Sequence, residues 1–178
     1  MRSFSKEELR RLLEAARAKR ERDWLMLLVT FTHGLRVSEL LRITADNIRD
    51  GYLRIPRLKG SLETVQPLLD HPDPLFSERR ALIEYAAKSI LPGEPLFKLT
   101  RQRLWQIIRE HGSQAGIPEH KLFPHALKHS IAKQLISKVG IDNTRQWLGH
   151  RSMSSTGEYL RVDDESAGGA VIDSLKNE

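Results

Sequence analysis

The chain contains no cysteine and no long hydrophobic run. Without cysteine it cannot form a disulfide framework, a Cys-ligated zinc site, an iron–sulfur cluster or a thiol nucleophile. No stretch approaches the roughly 20 apolar residues that a membrane-spanning helix requires. The N-terminal segment MRSFSKEELRR lacks the apolar core of a secretory signal. We therefore expect a cytoplasmic protein that does not associate with a membrane.

The composition is otherwise that of a globular domain with an excess of positive charge. The 178 residues are 39% hydrophobic and 29% charged, which suits one domain, or a domain with a tail, around a hydrophobic core. Lysine and arginine number 29 against 23 acidic residues, so the net charge is +6. A basic balance favours a polyanionic partner, because cationic side chains release counterions from nucleic acid. Many soluble domains are also basic, so charge alone leaves the partner open.

The spacing of apolar residues predicts a mainly α-helical fold with one small antiparallel β-sheet. Ser5 and Glu8 have the spacing of a helix capping box, and leucines at helical intervals follow them. Short alternating runs around the Asp50–Gly51 turn predict strands. The predicted strands cover about 47–49, 52–56 and 63–68. The predicted helices cover a segment after Ser5, then 21–32, a segment from about 37, 78–89, 100–111, 125–138, 144–148, 155–160 and 170–175.

An arginine stands at the joint between two apolar helices, in the segment GLRVSEL. A buried guanidinium is costly unless it is paired or faces a cleft. Arg36 therefore either forms a structural ion pair with Glu39, three residues later, or presents its charge to a ligand. The residues alone leave both interpretations open.

His125, Lys128 and His129 lie at positions i, i+3 and i+4, so a helix places them on one face. The two histidines have the spacing of metal ligands, but the metalloprotease motif requires a glutamate after the first one, where this chain has Ala126. A third ligand is not evident nearby. Two histidines and a lysine at a helix start fit an anion site better, because the helix dipole favours negative charge there.

A tyrosine follows a glycine–histidine pair late in the chain, in WLGHRSMSSTGEYL. Such a tyrosine is usually an amphipathic surface residue. As a nucleophile, Tyr159 needs assistance, because a pKa of about 10 keeps the phenol protonated at neutral pH. If Arg36, Lys128 and the histidines grip a phosphodiester, the phenol could attack phosphorus and a lysine could protonate the leaving oxygen. Acidic residues are scattered, without an Asp-x-Asp pair for divalent ions, so this interpretation requires no metal.

Four segments, in order, resemble motifs of the tyrosine recombinases, also called the phage integrase family. GLRVSELLRIT resembles the first arginine motif, RLKGSLETVQPL the hairpin with the catalytic lysine, PHALKHSIA the His-x-x-Arg helix, and WLGHRSMSSTGEYLRV the Leu-Gly-His motif with its nucleophile. The resemblance spans about Phe4 to Val162. It implies the mainly helical fold of that family's catalytic domain over residues 1–162, followed by a tail over residues 163–178.

The resemblance implies a site-specific recombinase or integrase that exchanges DNA strands. Tyr159 would attack the scissile phosphate and become joined to the 3′ phosphate, leaving a free 5′ hydroxyl. Lys59 would protonate the departing 5′ oxygen. The energy of the phosphodiester would be kept in the protein–DNA bond, so neither ATP nor another cofactor is implied.

The other matching residues would bind the phosphate or transfer protons. Arg36 would bind the non-bridging oxygens, and His150 would hydrogen-bond the phosphate. His125 would act as the acid/base for the tyrosine proton. Glu39, three residues after Arg36, is expected to orient the helix that carries this arginine.

The chain departs from the family at Lys128, where the family has its second arginine. Lysine keeps the charge but loses the planar guanidinium that fits two phosphate oxygens. The lysine is either a working variant with a reduced or altered affinity for the phosphate, or it indicates a non-catalytic DNA-binding module derived from a recombinase. The intact other positions favour the working enzyme. The nearest enzymatic rival is a type IB topoisomerase, whose site is chemically similar.

The family also implies partners and assembly. The expected partner is double-stranded DNA, bound by a homotetramer that assembles on DNA from free monomers, with the tail docked on a neighbouring protomer. Family members usually carry an additional N-terminal helical domain, so this chain is either an excised fragment or a short member.

One predicted helix resembles the family segment that approaches DNA. Arg101 and Arg103 are expected to contact phosphates or base edges, although a solvated basic helix end would have the same sequence. The apolar residues of this helix are expected to be core rather than a platform for stacking on bases. These residues are Leu104, Trp105, Ile107 and Ile108.

Overall fold

A computed structural model describes residues 3–58, 61–88 and 91–151. The helices in these ranges are α1 (Lys6–Lys19), α2 (Glu21–Thr32), α3 (Val37–Leu40), α4 (Arg79–Ala87), α5 (Arg101–Gln114) and α6 (Pro124–Leu148). The strands are β1 (Ile48–Arg49), β2 (Tyr52–Ile55) and β3 (Thr64–Pro67). Short 3₁₀ helices lie at Ala45–Asn47 and Glu119–Lys121. The prediction of a mainly helical fold with a small sheet is confirmed.

The hydrophobic core surrounds α2. Nearly every residue of this helix from Trp24 onward is buried, and it packs against both α1 and α6. The predicted capping box at the start of α1 is confirmed, since Ser5 Oγ accepts from the Glu8 amide and Glu8 Oε2 accepts from the Ser5 amide. Leu12 and Leu13, on the same face of α1, are fully buried against the core.

The three strands form an antiparallel sheet in the order β1-β2-β3. Arg49 pairs with Tyr52 across the predicted Asp50–Gly51 turn. Along β2, Leu53 and Ile55 are buried while Tyr52 and Arg54 are exposed, which is the alternation expected of a half-buried strand.

The long helix α6 is interrupted at Gly140, whose φ of 80° and ψ of 172° are not helical. Glycine adopts this positive φ without the steric penalty that a Cβ atom brings. The interruption accounts for the two helices that the sequence predicts at 125–138 and 144–148. The predicted helices at 155–160 and 170–175 lie outside the described residues, as does the expected domain boundary at 162.

One expected core residue is not in the core. Leu104, Ile107 and Ile108 are fully buried, but Trp105 is 41% exposed. Successive helical residues are rotated by about 100°, so Trp105 lies at the edge of the face that Leu104 occupies. Its ring is covered instead by the guanidinium of Arg109, whose central carbon is 4.6 Å from the ring centroid.

Among the helices of the described ranges, none is long and apolar enough to cross a membrane.

Candidate active site

Arg36 lies at the joint between α2 and α3, where it is the residue immediately before α3. Its backbone amide donates to Glu39 Oε2 at 2.7 Å, and its Nη1 donates to Glu39 Oε1 at 2.8 Å. The Arg36 side chain is 31% exposed, whereas that of Glu39 is fully buried. The structural ion pair with Glu39 is therefore present, and part of the Arg36 side chain is still exposed.

Arg57 is part of this site, and the sequence analysis missed it. Leu53 and Ile55 are the buried residues of β2, and two residues further the same alternation places Arg57 on the buried side. Its side chain has no exposed surface, and Nη1 lies 3.0 Å from Glu39 Oε2. The sequence did contain a sign of this role. An arginine on the core side of an alternating strand indicates a buried ion pair, because a buried charge requires a partner.

Glu39 thus joins two guanidinium groups, one at each carboxylate oxygen. Burial by itself raises the pKa of this carboxyl group, but the Arg36 amide and the charges of Arg57 and Lys128 outweigh burial and lower the pKa below its ordinary value. Glu39 is therefore ionised at neutral pH. The expectation that it orients the segment carrying Arg36 agrees with these contacts.

Lys128 lies in the second turn of α6 and is only 3% exposed. Among the described residues, its Nζ has no hydrogen-bond partner. Burial, and then the charges of Arg36 and Arg57, lower the pKa of Lys128 to about 7, with Glu39 opposing the shift. A buried ammonium next to two guanidinium groups is a place where an anion would be strongly stabilised.

The end of α6 brings His150 to the same place. The helix ends at Gly149, which has a φ of 67° and a carbonyl that accepts from the Leu62 amide at 2.9 Å. A Cβ at this position would lie 2.6 Å from the Leu62 carbonyl oxygen, so only glycine permits this contact with the β2–β3 hairpin. His150 itself is 6% exposed, and burial and the neighbouring cations, Lys128 first, lower its pKa to about 4.

His125 stands at the rim, in the first turn of α6. Partial burial of its ring, and then the charges of Lys128, Arg36 and Arg101, lower its pKa. Its ring centroid is 6.1 Å from that of His129. Among residues 3–58, 61–88 and 91–151, no three His, Asp or Glu side chains are grouped closely enough to hold a metal ion.

The structure thus brings four of the six predicted catalytic residues together, namely Arg36, His125, Lys128 and His150. Lys59 and Tyr159 lie outside the described residues. The two arginines of α5 differ: Arg101 is close enough to influence His125, whereas Arg103 donates to Glu110 at 2.8 Å. Around Glu39, cationic side chains exceed the carboxylate, so the site carries excess positive charge suited to an anion.

The chain is similar in sequence to known proteins. Residues 2–166 match the sequence profile of the phage integrase family. The tyrosine recombinase XerA of Pyrococcus furiosus is 33% identical over 172 residues, which cover 90% of this chain and 57% of that protein. This chain therefore spans less than two thirds of the length of that relative.

Two solved structures share the fold. A XerH site-specific recombinase bound to its difH substrate in a pre-cleavage complex has a TM-score of 0.75 at 20% identity, over 96% of this chain and 54% of that one. A lambda integrase tetramer bound to a Holliday junction has a TM-score of 0.66 at 19% identity, over 88% of this chain and 47% of that one.

Proposed function

Because this chain belongs to the phage integrase family, we propose that it is a site-specific DNA recombinase. It cleaves and rejoins DNA strands through a covalent 3′-phosphotyrosyl intermediate. The observation that carries this proposal is the buried ammonium of Lys128, which has no hydrogen-bond partner among the described residues, beside the partly exposed guanidinium of Arg36. A cation held apart from solvent, as Lys128 is, stabilises a phosphodiester far better than a surface cation does.

The phosphate is bound by groups that the fold has already oriented. Arg36, held by Glu39, binds the non-bridging oxygens with its exposed N–H groups. Lys128 supplies a point charge, and its pKa of about 7 means that a phosphate restores the protonated form at little free-energy cost. His150, largely neutral at pH 7 because its pKa is about 4, donates a hydrogen bond.

The covalent step follows the roles of the matching motif residues. The Tyr159 oxygen forms a bond to phosphorus while the bond from phosphorus to the 5′ oxygen breaks. His125 accepts the phenolic proton, and Lys59 gives a proton to the 5′ oxygen. Negative charge that develops on the phosphoryl oxygens is stabilised by Arg36 and Lys128, and such electrostatic stabilisation is usually the largest catalytic contribution. Attack by the 5′ hydroxyl of a second strand reverses these bond changes and completes strand exchange.

The partner is double-stranded DNA, and we propose that the protein, monomeric when free, assembles on it as a homotetramer in the cytoplasm. The DNA-bound XerH and the lambda integrase tetramer support this by their shared fold. Residues 1–162 form the catalytic domain, and the tail over 163–178 docks on a neighbouring protomer. Arg101, at the rim beside His125, contacts the DNA backbone. Arg103 would first have to leave Glu110.

A non-catalytic DNA-binding module is the second candidate, favoured by one observation: Lys128 stands where the family has arginine. A duplex nicked close to the cleavage site separates the two functions. Cleavage releases the short fragment that carries the new 5′ hydroxyl, so the reverse reaction cannot occur and any covalent product is trapped. We expect a covalent protein–DNA adduct with the natural chain and none with Tyr159→Phe. Tyr52→Phe, an exposed tyrosine of β2, is the matched control and retains the adduct.

Binding of the duplex without any adduct would refute the enzymatic proposal and support the binding module. Relaxation of supercoiled DNA without recombination of paired sites would instead support a type IB topoisomerase.

A further inference from the structure

We propose that Arg57 is a positioning residue that holds His150 against Arg36, and does so without touching the phosphate. This inference rests on the proposed function, because it assigns Arg57 a part in assembling the same site. Arg57 follows β2 and lies between the two segments that carry these site residues. Its side chain is fully buried.

All five N–H groups of the Arg57 guanidinium are engaged within the protein. Nε donates to Thr64 Oγ1 at 3.3 Å. Nη1 donates to the Gly34 carbonyl at 3.3 Å and to Glu39 Oε2 at 3.0 Å. Nη2 donates to the carbonyls of His33 and Trp147, at 3.1 and 3.0 Å. An arginine has five donors, so none is left for a phosphate oxygen unless one of these bonds breaks.

These acceptors lie on both sides of the site. His33, Gly34 and Glu39 flank Arg36 in the chain, so three of the five bonds hold the arginine segment. The Trp147 carbonyl belongs to the last turn of α6, three residues before His150. Arg57 also lies directly against Gly149, because a Cβ on this glycine would be 3.1 Å from Arg57 Cγ. One rigid, planar group therefore sets the distance between the Arg36 segment and the His150 segment.

The last turn of α6 is also held by hydrogen bonds that do not involve Arg57. A change at Arg57 can therefore alter the position of His150 without unfolding this turn. Gln66 Nε2 also donates to the Trp147 carbonyl, at 2.5 Å, and Trp147 Nε1 donates to the Thr32 carbonyl at 2.9 Å. These bonds do not involve Arg57, so they hold the last turn of α6 when Arg57 is changed. They do not involve Gly149, where the atoms nearest to an added Cβ belong to the Leu62 carbonyl and the Arg57 side chain.

The conservative variant Arg57→Lys tests the inference. Lysine keeps the buried charge but has three donors on one atom, which cannot span the carbonyls on both sides. We expect covalent adduct formation on the nicked duplex to slow by at least about tenfold, since small misplacements of catalytic groups have effects of this size. DNA affinity should change by less than about threefold, because no phosphate contact is removed. Arg54→Lys is the matched control, an exposed arginine of the same strand.

The titration of His150 by NMR gives a readout that does not depend on activity. Its pKa of about 4 reflects burial beside Lys128, Arg36 and Arg57. In Arg57→Lys the charge is retained, so a pKa that moves towards the ordinary 6.5 would report displacement of the ring. Arg54→Lys should leave the His150 titration unchanged. A folded Arg57→Lys protein with the same His150 titration, or with cleavage and DNA affinity reduced in parallel, would overturn the inference.

The natural chain provides a test that needs no variant. On addition of duplex DNA, the guanidinium NMR signals of Arg36 should shift, whereas those of Arg57 should stay in place and remain protected from exchange. A shift of the Arg57 signals equal to that of Arg36 would show phosphate contact and contradict a positioning role. If the natural chain forms no adduct, the proposed function fails, yet the His150 titration and these signals still decide the role of Arg57.

Discussion

The Nη1 atom of Arg36 lies 2.8 Å from Oε1 of Glu39, in a pair that is buried on the carboxylate side and open on the guanidinium side. The carboxylate fixes the orientation of a cation that contacts a phosphate in the proposed function, so less conformational entropy would be lost when DNA binds. The same carboxylate also balances Arg57, which has no access to solvent. Glu39 therefore serves both the stability of the fold and the geometry of the site.

Replacing Glu39 by glutamine should destabilise the protein and weaken the site. The change leaves the buried Arg57 charge without its counterion, and breaking one side of a buried ion pair typically lowers the free energy of unfolding by about 3 kcal/mol. Urea denaturation at pH 7 measures this loss. Glu63→Gln is the control, because Glu63 pairs with Arg54 at the surface, where ion pairs contribute at most about 1 kcal/mol. Equal effects of the two substitutions would contradict the role assigned to Glu39.

Replacing Lys128 by methionine should stabilise the protein while abolishing cleavage. Methionine has a similar length and removes a buried nitrogen without a hydrogen-bond partner among the described residues, so the unfolding free energy should rise by roughly 1 kcal/mol at pH 7. The folded pKa of about 7 is below the ordinary 10.5, so the unfolded chain binds more protons between these values. The natural chain therefore gains stability as pH rises from 7 to 10.5, and the advantage of methionine shrinks. A lower stability of the variant at pH 7 would contradict this account of Lys128.

The affinity of the site for DNA should depend on pH, because Lys128 titrates near neutral pH. Raising the pH above about 7 deprotonates this lysine in the free protein and removes a positive charge from the phosphate site. Adduct formation at subsaturating DNA should therefore decline above pH 7 in the natural chain.

In Lys128→Arg that decline should be absent, because a guanidinium stays protonated in this range. If lysine is a handicap, the arginine variant should also cleave faster at pH 8, with a melting curve confirming that the larger side chain is accommodated. A parallel decline in both proteins would assign the pH dependence to another group.

Acid should destabilise the protein partly through His150. Its folded pKa of about 4 is below the ordinary 6.5, so between these values the unfolded chain binds more protons and stability falls as pH falls. In His150→Gln, the slope of unfolding free energy against pH in this range should be smaller by up to about one bound proton. Denaturation series at pH 4.5, 5.5 and 6.5 measure both slopes. Identical slopes would show that His150 is not buried beside the cations.

The two arginines of α5 should differ in DNA binding. Arg101 is exposed beside His125, so Arg101→Gln should lower the slope of log affinity against log salt by about 1, the value for one phosphate contact. Arg103→Gln should change the slope less, because this guanidinium is bound to Glu110. Fluorescence anisotropy with a labelled duplex at several salt concentrations measures the slopes. A larger change in Arg103→Gln than in Arg101→Gln would contradict the placement of Arg101 at the DNA.

Local signals predicted most of the fold. The capping box at Ser5, the Asp50–Gly51 turn and the alternation along β2 each depend on residues close in sequence, and all three are confirmed. Trp105 was wrongly expected in the core, because an aromatic residue next to buried leucine and isoleucine gives no local sign of which helix edge faces solvent. Arg57 was missed, because its acceptors at Gly34 and Trp147 are distant in sequence and no local pattern connects them.

By itself the sequence determined which residue types stand at which helix and strand positions, and hence the family and the candidate cations. Propensity, turn chemistry and hydrophobic period act over a few residues, so they are readable from the chain. Only the tertiary structure decided that Lys128 is buried, that Glu39 serves two arginines, and that Arg57 joins the segments of Arg36 and His150. Those properties arise from desolvation and from contacts between distant segments, which exist only after the chain has packed.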